Sequence, residues 1–205
     1  MLYIYLEEHI DHPKVIKDRY LDIEEPDCIK SIYSMGCIPN DEKRDYQADS
    51  NDVLKYFLKR LNRFPIFVTF GGGFTDEELE PFLQREDLSY TKIQPYKRRS
   101  YYSVQVNDAS ELERLLDETY WYAAANDFYF LSFKNFLTFE SKMIRRWFFK
   151  REMIVPVVNT TEEMSFITIE HDFMGYYLFS NEACFDTEEK VKTFLPEGEG
   201  IDYYE

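Results

Sequence analysis

The segment from Phe64 to Phe70 constrains the fold more than any other part of this sequence. It is almost unbroken in apolar residues, which is the pattern of a strand buried on both faces. It leads directly into Gly71-Gly72-Gly73, and Thr75 with Glu78 then forms a capping box that predicts a helix. A central buried strand followed by a tight turn and a helix is therefore the first predicted feature of the fold.

Further strands and helices are predicted on both sides of this segment, from apolar alternation and from capping residues. The other predicted strands are Leu2–Leu6, Cys28–Ser34, Tyr101–Val106, Phe128–Phe133, Met153–Val158, Met164–Glu170 and Tyr176–Ser180. The other predicted helices begin at Ser50, at Ser110 (with Glu113 completing a capping box) and at Thr187. Because Met164–Glu170 and Tyr176–Ser180 lie close together with Gly175 between them, they are expected to form a hairpin.

Two stretches leave alternatives open. Residues 134–151 fit either one helix or two strands, because their apolar positions agree with both periods. Pro156 cannot donate a ladder hydrogen bond, so the strand around it is predicted to lie at a sheet edge.

Strands and helices interleave in the middle of the chain, and strands cluster towards its end. We therefore expect a single α+β domain over residues 1–205, with a mixed, mostly antiparallel sheet and three to five helices packed on it. The chain has 205 residues, of which 44% are apolar, enough for one sizeable core. The acidic tail, residues 196–205, is expected to fray.

The net charge and the cysteine content indicate which partners and which cellular compartment suit such a chain. The formal net charge is −15, which repels nucleic acid and anionic membranes at long range and attracts cationic partners. Three cysteines, Cys28, Cys37 and Cys184, are too few and too widely spaced for a disulfide framework, so free thiols are expected. With no signal peptide or membrane-spanning stretch in the sequence, we expect a cytoplasmic protein.

The motifs that usually mark an enzyme are missing from this sequence. The glycine run lacks the Lys-Ser/Thr of a phosphate loop, and Asp76, Glu77 and Glu78 would repel a phosphate there. His9 and His12 have no third ligand at metal spacing, and His171 falls near a predicted turn. A nucleophile elbow is likewise not found. A non-enzymatic protein without cofactor or metal is therefore favoured, although carboxylate chemistry stays open.

Two basic segments interrupt the acidic sequence. Residues 92–99 contain four basic residues and no acid, and residues 134–151 contain six with the single acid Glu140. Aromatic residues are interleaved with them, a composition typical of anion or single-stranded nucleic-acid sites. If the two segments converge, four arginines could hold a phosphate: Arg98, Arg99, Arg145 and Arg146.

Acidic residues cluster in the helix around residues 110–118 and towards the carboxyl terminus. The candidate partner-binding residues are Glu111, Asp117, Glu118, Glu182, Asp186, Glu188 and Glu189. Clustered carboxylates with nearby tyrosines suit the recognition of a basic protein, because they steer its approach and the aromatic rings add contact energy.

Three hypotheses of function follow in order of preference. The first is a binding protein of the acidic inhibitor or immunity type, whose partner is a basic toxin, nuclease or nucleic-acid-handling complex. The second is a nucleotide, nucleic-acid or anion-binding module that uses residues 92–99 and 134–151. The third is an enzyme with an unrecognised carboxylate site. The sequence leaves the partner's identity and the oligomeric state open.

Overall fold

The computed structural model describes residues 3–17, 21–38, 46–71, 76–96, 99–125, 127–146, 149–169, 172 and 174–197. The strands are β1 Tyr3–Glu8, β2 Asp22–Glu24, β3 Ser31–Ile38, β4 Ile66–Gly71, β5 Ser89–Tyr96, β6 Arg99–Val106, β7 Phe128–Ser132, β8 Thr138–Arg146, β9 Phe149–Asn159, β10 Ser165–Ile169 and β11 Tyr176–Ser180. The helices are α1 His12–Lys17, α2 Tyr46–Leu61, α3 Asp76–Arg85, α4 Ala109–Ala124 and α5 Glu188–Lys192.

Eight strands form one sheet in the order β1-β3-β11-β10-β7-β4-β6-β5, and every pairing described within it is antiparallel. A smaller sheet has the order β2-β9-β8, with β2 parallel to β9. The expected single α+β domain with a mixed, mostly antiparallel sheet is confirmed. The predicted central strand, β4, lies between β6 and β7, and the β10–β11 hairpin is present.

Four helices cover one face of the large sheet. Side chains from α2, α3, α4 and α5 pack there against the alternate residues of the strands. In β11, for example, Tyr176 and Leu178 point to this face, whereas Tyr177 and Phe179 point to the other. Strict alternation is the reason that an apolar strand can serve two cores at once.

The opposite face carries a second, aromatic core. Phe130, Phe166 and Phe179 stack across three neighbouring strands, with ring centroids 5.3 Å and 4.8 Å apart. Residues of α1, β2 and β9 cover these rings. The small sheet therefore forms a second layer on the face that the four helices leave open.

Several predicted boundaries were wrong. The second strand begins at Ser31, because residues Pro26–Cys28 form a 3₁₀ turn in place of its expected start. Ser50 does not cap α2 but lies inside it, fully buried, where its hydroxyl contacts the Cys37 thiol at 3.4 Å. Thr75, the predicted cap of α3, lies outside the described residues.

Helix α4 also begins earlier than its capping box predicted. Asp108 is the N-cap, since its carboxylate accepts hydrogen bonds from the backbone N–H groups of Ser110 and Glu111, at 2.8 Å and 2.9 Å. The hydroxyl of Ser110 instead accepts a hydrogen bond from Arg114. Because Asp and Ser are both favourable N-cap residues, the spacing of residues in the sequence did not show whether Asp108 or Ser110 caps the helix.

Residues 138–146 and 149–159 form two long strands, which resolves the ambiguity of the 134–151 segment. Strands β8 and β9 pair in register from Thr138–Val157 to Arg146–Phe149; we name this hairpin the β8–β9 arm. The expected edge position of Pro156 was wrong, because β9 is the middle strand of its sheet. Strand β2 pairs with β9 only at residues Val157–Asn159, so this pairing begins one residue after Pro156.

Candidate functional site

The acidic residues of α4 are largely engaged within the protein. Asp117 accepts hydrogen bonds from Lys55, at 2.6 Å, and from Asn51, at 3.3 Å, while Glu113 pairs with Lys59. Glu111 accepts a hydrogen bond from the backbone N–H of Asn107, at 2.7 Å, and so stabilises the start of its own helix. Of the three predicted residues on α4, Glu118 alone is exposed without a partner among the described residues.

Helix α2 separates the two acidic groups that the sequence analysis combined. Its lysines pair with α4 on one side, and its Phe57 ring packs against Phe185 and Phe194 of the C-terminal segment on the other. The candidate residues 111–118 and 182–189 are therefore not one continuous surface but two, with the basic side chains of α2 between them.

Glu182 is an interior residue. Its side chain is 8% exposed, and Arg63 donates to both of its carboxylate oxygens, one of the bonds measuring 3.0 Å. Burial would raise the pKa of Glu182, but the hydrogen bonds and charge of Arg63 outweigh it and lower the pKa below its usual value. Arg63 also lies 4.8 Å above the ring of Phe133. The Glu182 carboxylate is therefore used inside the protein and is not available to bind a partner.

The remaining predicted C-terminal acids converge with one acid that the sequence analysis missed. Helix α5 packs against β1, which ends at Glu8. We name Glu8, Asp186, Glu188 and Glu189 the acidic patch. Glu8 and Glu189 are exposed and have no ion-pair partner among the described residues. Asp186 and Glu188 pair with Lys190 and Lys192 of the same helix, in exposed contacts of the kind that contribute little.

Tyr33 lies directly beneath the acidic patch. It pairs in register with Glu8, its side chain is fully buried, and its hydroxyl has no hydrogen-bond partner among the described residues. Burial first, and then the charges of all four patch carboxylates, raise the pKa of the Tyr33 phenol to about 12. All four carboxylates therefore lie near enough to the Tyr33 hydroxyl for their charges to act on it.

The four predicted arginines are distributed over two hairpins. Arg99 begins β6, whereas Arg145 and Arg146 end β8. Arg98 lies outside the described residues. The two hairpins that contain the basic segments touch where Tyr101 of β6 packs against Phe139 of β8, with ring centroids 4.9 Å apart. The structure thus joins the two hairpins at this aromatic contact, whereas the side chains of all four arginines lie outside what it describes.

Other sequence candidates have structural explanations. Gly71 has φ of +133°, and a Cβ there would lie 2.4 Å from the carbonyl oxygen of Ser100, so close strand packing requires the glycine. Gly72, Gly73 and His171 lie outside the described residues. His9 is hydrogen-bonded to Ser34 at 2.9 Å, and all three cysteines are free thiols. No three His, Cys, Asp or Glu residues in the described ranges could hold a metal ion together.

The structure also contains an open cleft of about 390 Å³, lined by Asp27, Cys28, Lys30, Thr161, Glu163 and Asn181. The side-chain amide of Asn181 is fully used within the protein, where it donates to Thr160 and Glu162 and accepts from Met164. The pKa values of Glu113 and Glu182 are lowered by hydrogen bonds from Lys59 and Arg63 respectively, in the case of Glu182 against the effect of burial. A carboxylic acid prepared to donate a proton would need the opposite shift.

Sequence reasoning missed Glu8, Tyr33 and the Arg63–Glu182 pair for one reason. Each depends on contacts between distant parts of the chain, since 119 residues separate Arg63 from Glu182. The Glu7-Glu8 doublet after the first strand was the available signal, because two exposed acids at a strand end point towards a surface that is not covered.

None of the helices in the described parts of the chain is long and apolar enough to cross a membrane. Comparison with protein-family models, with curated proteins and with solved structures gave no match to this chain.

Proposed function

We propose that this chain is a non-enzymatic binding protein that uses the acidic patch to occupy a basic surface of a partner protein. The observation that carries this proposal is the convergence of Glu8, Asp186, Glu188 and Glu189 above Tyr33. In a chain with a formal net charge of −15, such a patch would direct the approach of a cationic partner. Basic toxins, nucleases and nucleic-acid-handling proteins have suitable surfaces, so an inhibitor or immunity role is proposed.

The free thiols support a reducing compartment such as the cytoplasm for this interaction. The proposal differs from the sequence-based hypothesis in two respects. Glu182 is removed from the binding surface because it pairs with Arg63, and Glu8 is added. The α4 residues become secondary candidates, because Asp117 pairs with Lys55 of α2 and Glu111 accepts a hydrogen bond from the backbone of Asn107.

A fluorescent 20-residue polylysine peptide tests the patch. We expect the quadruple variant Glu8→Gln, Asp186→Asn, Glu188→Gln and Glu189→Gln to weaken binding at least tenfold at low salt. The matched control neutralises four exposed acids elsewhere, namely Glu118, Glu140, Glu162 and Glu163. Both variants change the net charge equally, so equal weakening would show that overall charge alone is recognised and would overturn the proposal. A salt-step pull-down with the wild-type protein would then identify the natural partner.

A further inference from the structure

The first strand, β1, forms one edge of the large sheet. It pairs with β3 on one side, and no described strand pairs with it on the other. Its residues include neither lysine nor proline, which proteins commonly place on edge strands to prevent further pairing. The opposite edge strand, β5, contains both Lys92 and Pro95. Of the two edges of the large sheet, β1 is therefore the one better suited to pairing with an added strand.

The hydrogen bonding of β1 shows which of its backbone groups face outward. The backbone N–H of His9 donates to the carbonyl oxygen of Ile32 at 2.8 Å. This bond continues the register in which Glu8 lies opposite Tyr33. Because hydrogen-bonded and non-hydrogen-bonded pairs alternate along antiparallel strands, Leu6 and Glu8 belong to the non-hydrogen-bonded pairs. Their N–H and C=O groups point away from β3, and they have no partner among the described residues.

The part of this edge near the end of β1 is accessible to solvent. Glu7 and Glu8 are exposed, and Leu6 is half-buried. Ile10, which lies two residues beyond the strand, is 96% exposed, whereas Ile4 is only 7% exposed. The accessible part therefore comprises residues 6–10, and we name these residues the open edge.

The open edge carries negative charge on both faces of the sheet. Glu8 lies on the face that the helices cover, because it is opposite Tyr33 of that core, and it belongs to the acidic patch. The buried Tyr33 hydroxyl on the same face has no hydrogen-bond partner among the described residues. Glu7 lies on the other face, since successive side chains of a strand alternate. Two consecutive basic residues of an added strand would each face a carboxylate, which stabilises cross-strand pairs.

We propose that the open edge pairs with an extended segment of the basic partner, which adds a strand to the large sheet beside the acidic patch. Hydrogen bonds to the backbone of Leu6 and Glu8 supply affinity, and two consecutive basic side chains supply specificity. The added strand is antiparallel, as are all described pairings of this sheet, because that pairing is slightly the more stable. This inference rests on the proposed function, since it assigns a binding mode to the same partner.

The probe is the capped peptide Val-Thr-Lys-Lys-Val-Thr. Antiparallel pairing places its two lysines opposite Glu8 and Glu7, its first valine opposite Ile10 and its second valine opposite Leu6. Two isomers of this peptide, each with two N-methyl groups, have the same composition and charge. One isomer is methylated at the first lysine and the second valine, whose N–H groups face β1. The other is methylated at the first threonine and the second lysine, whose N–H groups point away from β1.

Binding of these peptides to the full chain separates strand addition from charge attraction. The isomer methylated on the N–H groups that face β1 should bind at least tenfold more weakly than the unmodified peptide, because two backbone hydrogen bonds are lost. The other isomer should bind within twofold of the unmodified peptide, since both of its methyl groups lie on the far side of the added strand. Fluorescence anisotropy of labelled peptides measures all three affinities.

Amide hydrogen exchange, followed by NMR, locates the bound peptide. At a free peptide concentration ten times its Kd, exchange at Leu6 and Glu8 should slow about tenfold. The double variant Glu7→Gln, Glu8→Gln should weaken binding at least fivefold. The matched control, Glu162→Gln with Glu163→Gln, removes two exposed acids between β9 and β10 and should bind within twofold of wild type.

Any of four results would overturn the proposal: no binding of the unmodified peptide, equal binding of the two isomers, unchanged exchange at Leu6 and Glu8, or a free protein that is already a dimer with these two amides protected. The polylysine experiment tests the proposed function separately. If neutralising the acidic patch weakens polylysine binding but the two isomers bind equally, the patch binds a basic partner without strand addition. If neutralising the patch has no more effect on polylysine than its control, the proposed function itself fails.

Discussion

At the scale of single residues, the buried tyrosines differ in whether their hydroxyl groups have partners. Tyr129 donates to the hydroxyl of Thr119 at 2.8 Å, since Thr119 in turn donates to the carbonyl of Leu115. Tyr176 is also fully buried, but its hydroxyl has no hydrogen-bond partner among the described residues. Burial raises the pKa of both phenols, so both hydroxyls stay protonated and neutral. Tyr129 and Tyr176 therefore differ in the hydrogen bonding of their hydroxyl groups, whereas both phenols are buried and neutral.

The substitution of phenylalanine should separate these two cases. Tyr176→Phe should raise the free energy of unfolding by about 1 kcal/mol, because an unsatisfied buried hydroxyl is removed. Tyr129→Phe should lower it by about 1 kcal/mol, because a satisfied hydrogen bond is lost. Urea unfolding measures both, and each variant is the control for the other. A loss of stability in both variants would mean that the Tyr176 hydroxyl has a partner in solution.

The Arg63–Glu182 pair gives a second prediction at this scale. Glu182→Gln should lower the free energy of unfolding by about 2 kcal/mol, because Arg63 is left partly buried without its countercharge. The folded-state pKa of Glu182 lies below its unfolded value, so the contribution of the pair is complete above the unfolded pKa. The contribution of the Arg63–Glu182 pair is lost as the pH falls through the folded-state pKa of Glu182. Urea titrations at pH 7 and in steps below pH 5 should show the variant and wild type converging.

Glu189→Gln is the matched control for this experiment, since that carboxylate is exposed and has no ion-pair partner in the described ranges. Its stability should stay within about 0.5 kcal/mol of wild type at every pH. A constant difference between Glu182→Gln and wild type down to low pH would contradict the role given to the charge of Glu182.

At the scale of elements, helix α4 allows a direct comparison of Ser110, the N-cap predicted from the sequence, with Asp108, the N-cap in the structure. Asp108→Ala removes the side chain that accepts from the N–H groups of Ser110 and Glu111, and should cost about 1 kcal/mol of unfolding free energy. Ser110→Ala removes only an exposed contact with Arg114 and should cost less than about 0.5 kcal/mol. If urea unfolding gave the reverse order, the capping box predicted at Ser110 would be correct after all.

The elements that could be predicted from the sequence are those with one clear local pattern. The runs that became β4, β7 and β11 are apolar on both faces, because the sheet is covered by helices on one side and by a second layer on the other. The β8–β9 arm could not be identified, since its residues satisfy both the helical and the strand period. Strand β5 was missed altogether: polar residues such as Lys92 and Gln94 interrupt an edge strand of the large sheet.

The candidate site was only partly predictable for a different reason. Asp186, Glu188 and Glu189 are neighbours in the sequence and stay together in the structure, so local clustering found them. Glu8 joins them through the packing of α5 on β1, and Glu182 leaves them through its pair with Arg63. Both changes depend on strand order, because β1 and β11 flank β3 at the end of the large sheet. No local pattern encodes that arrangement.

At the scale of the whole molecule, excess negative charge opposes folding. The ion pairs between α2 and α4 are partly exposed, with the Lys59 and Glu113 side chains 41% and 48% accessible. Each such pair is worth at most about 1 kcal/mol. The repulsion within a chain of formal charge −15 acts between all of its acids and is relieved by salt. Repulsion should therefore outweigh the local pairs.

Added salt should then stabilise the protein, even though it also weakens every exposed ion pair. We expect the melting temperature at pH 7 to rise by several degrees between 20 and 300 mM NaCl, which corresponds to about 1 kcal/mol for a chain of this size. The control is the same salt series near pH 4.7, the sequence isoelectric point, where net repulsion vanishes. There the melting temperature should stay constant or fall, because only attractive pairs remain to be screened. A fall at pH 7 would mean that the pairs made by Lys55, Lys59 and Lys142 stabilise the fold more than its net charge destabilises it.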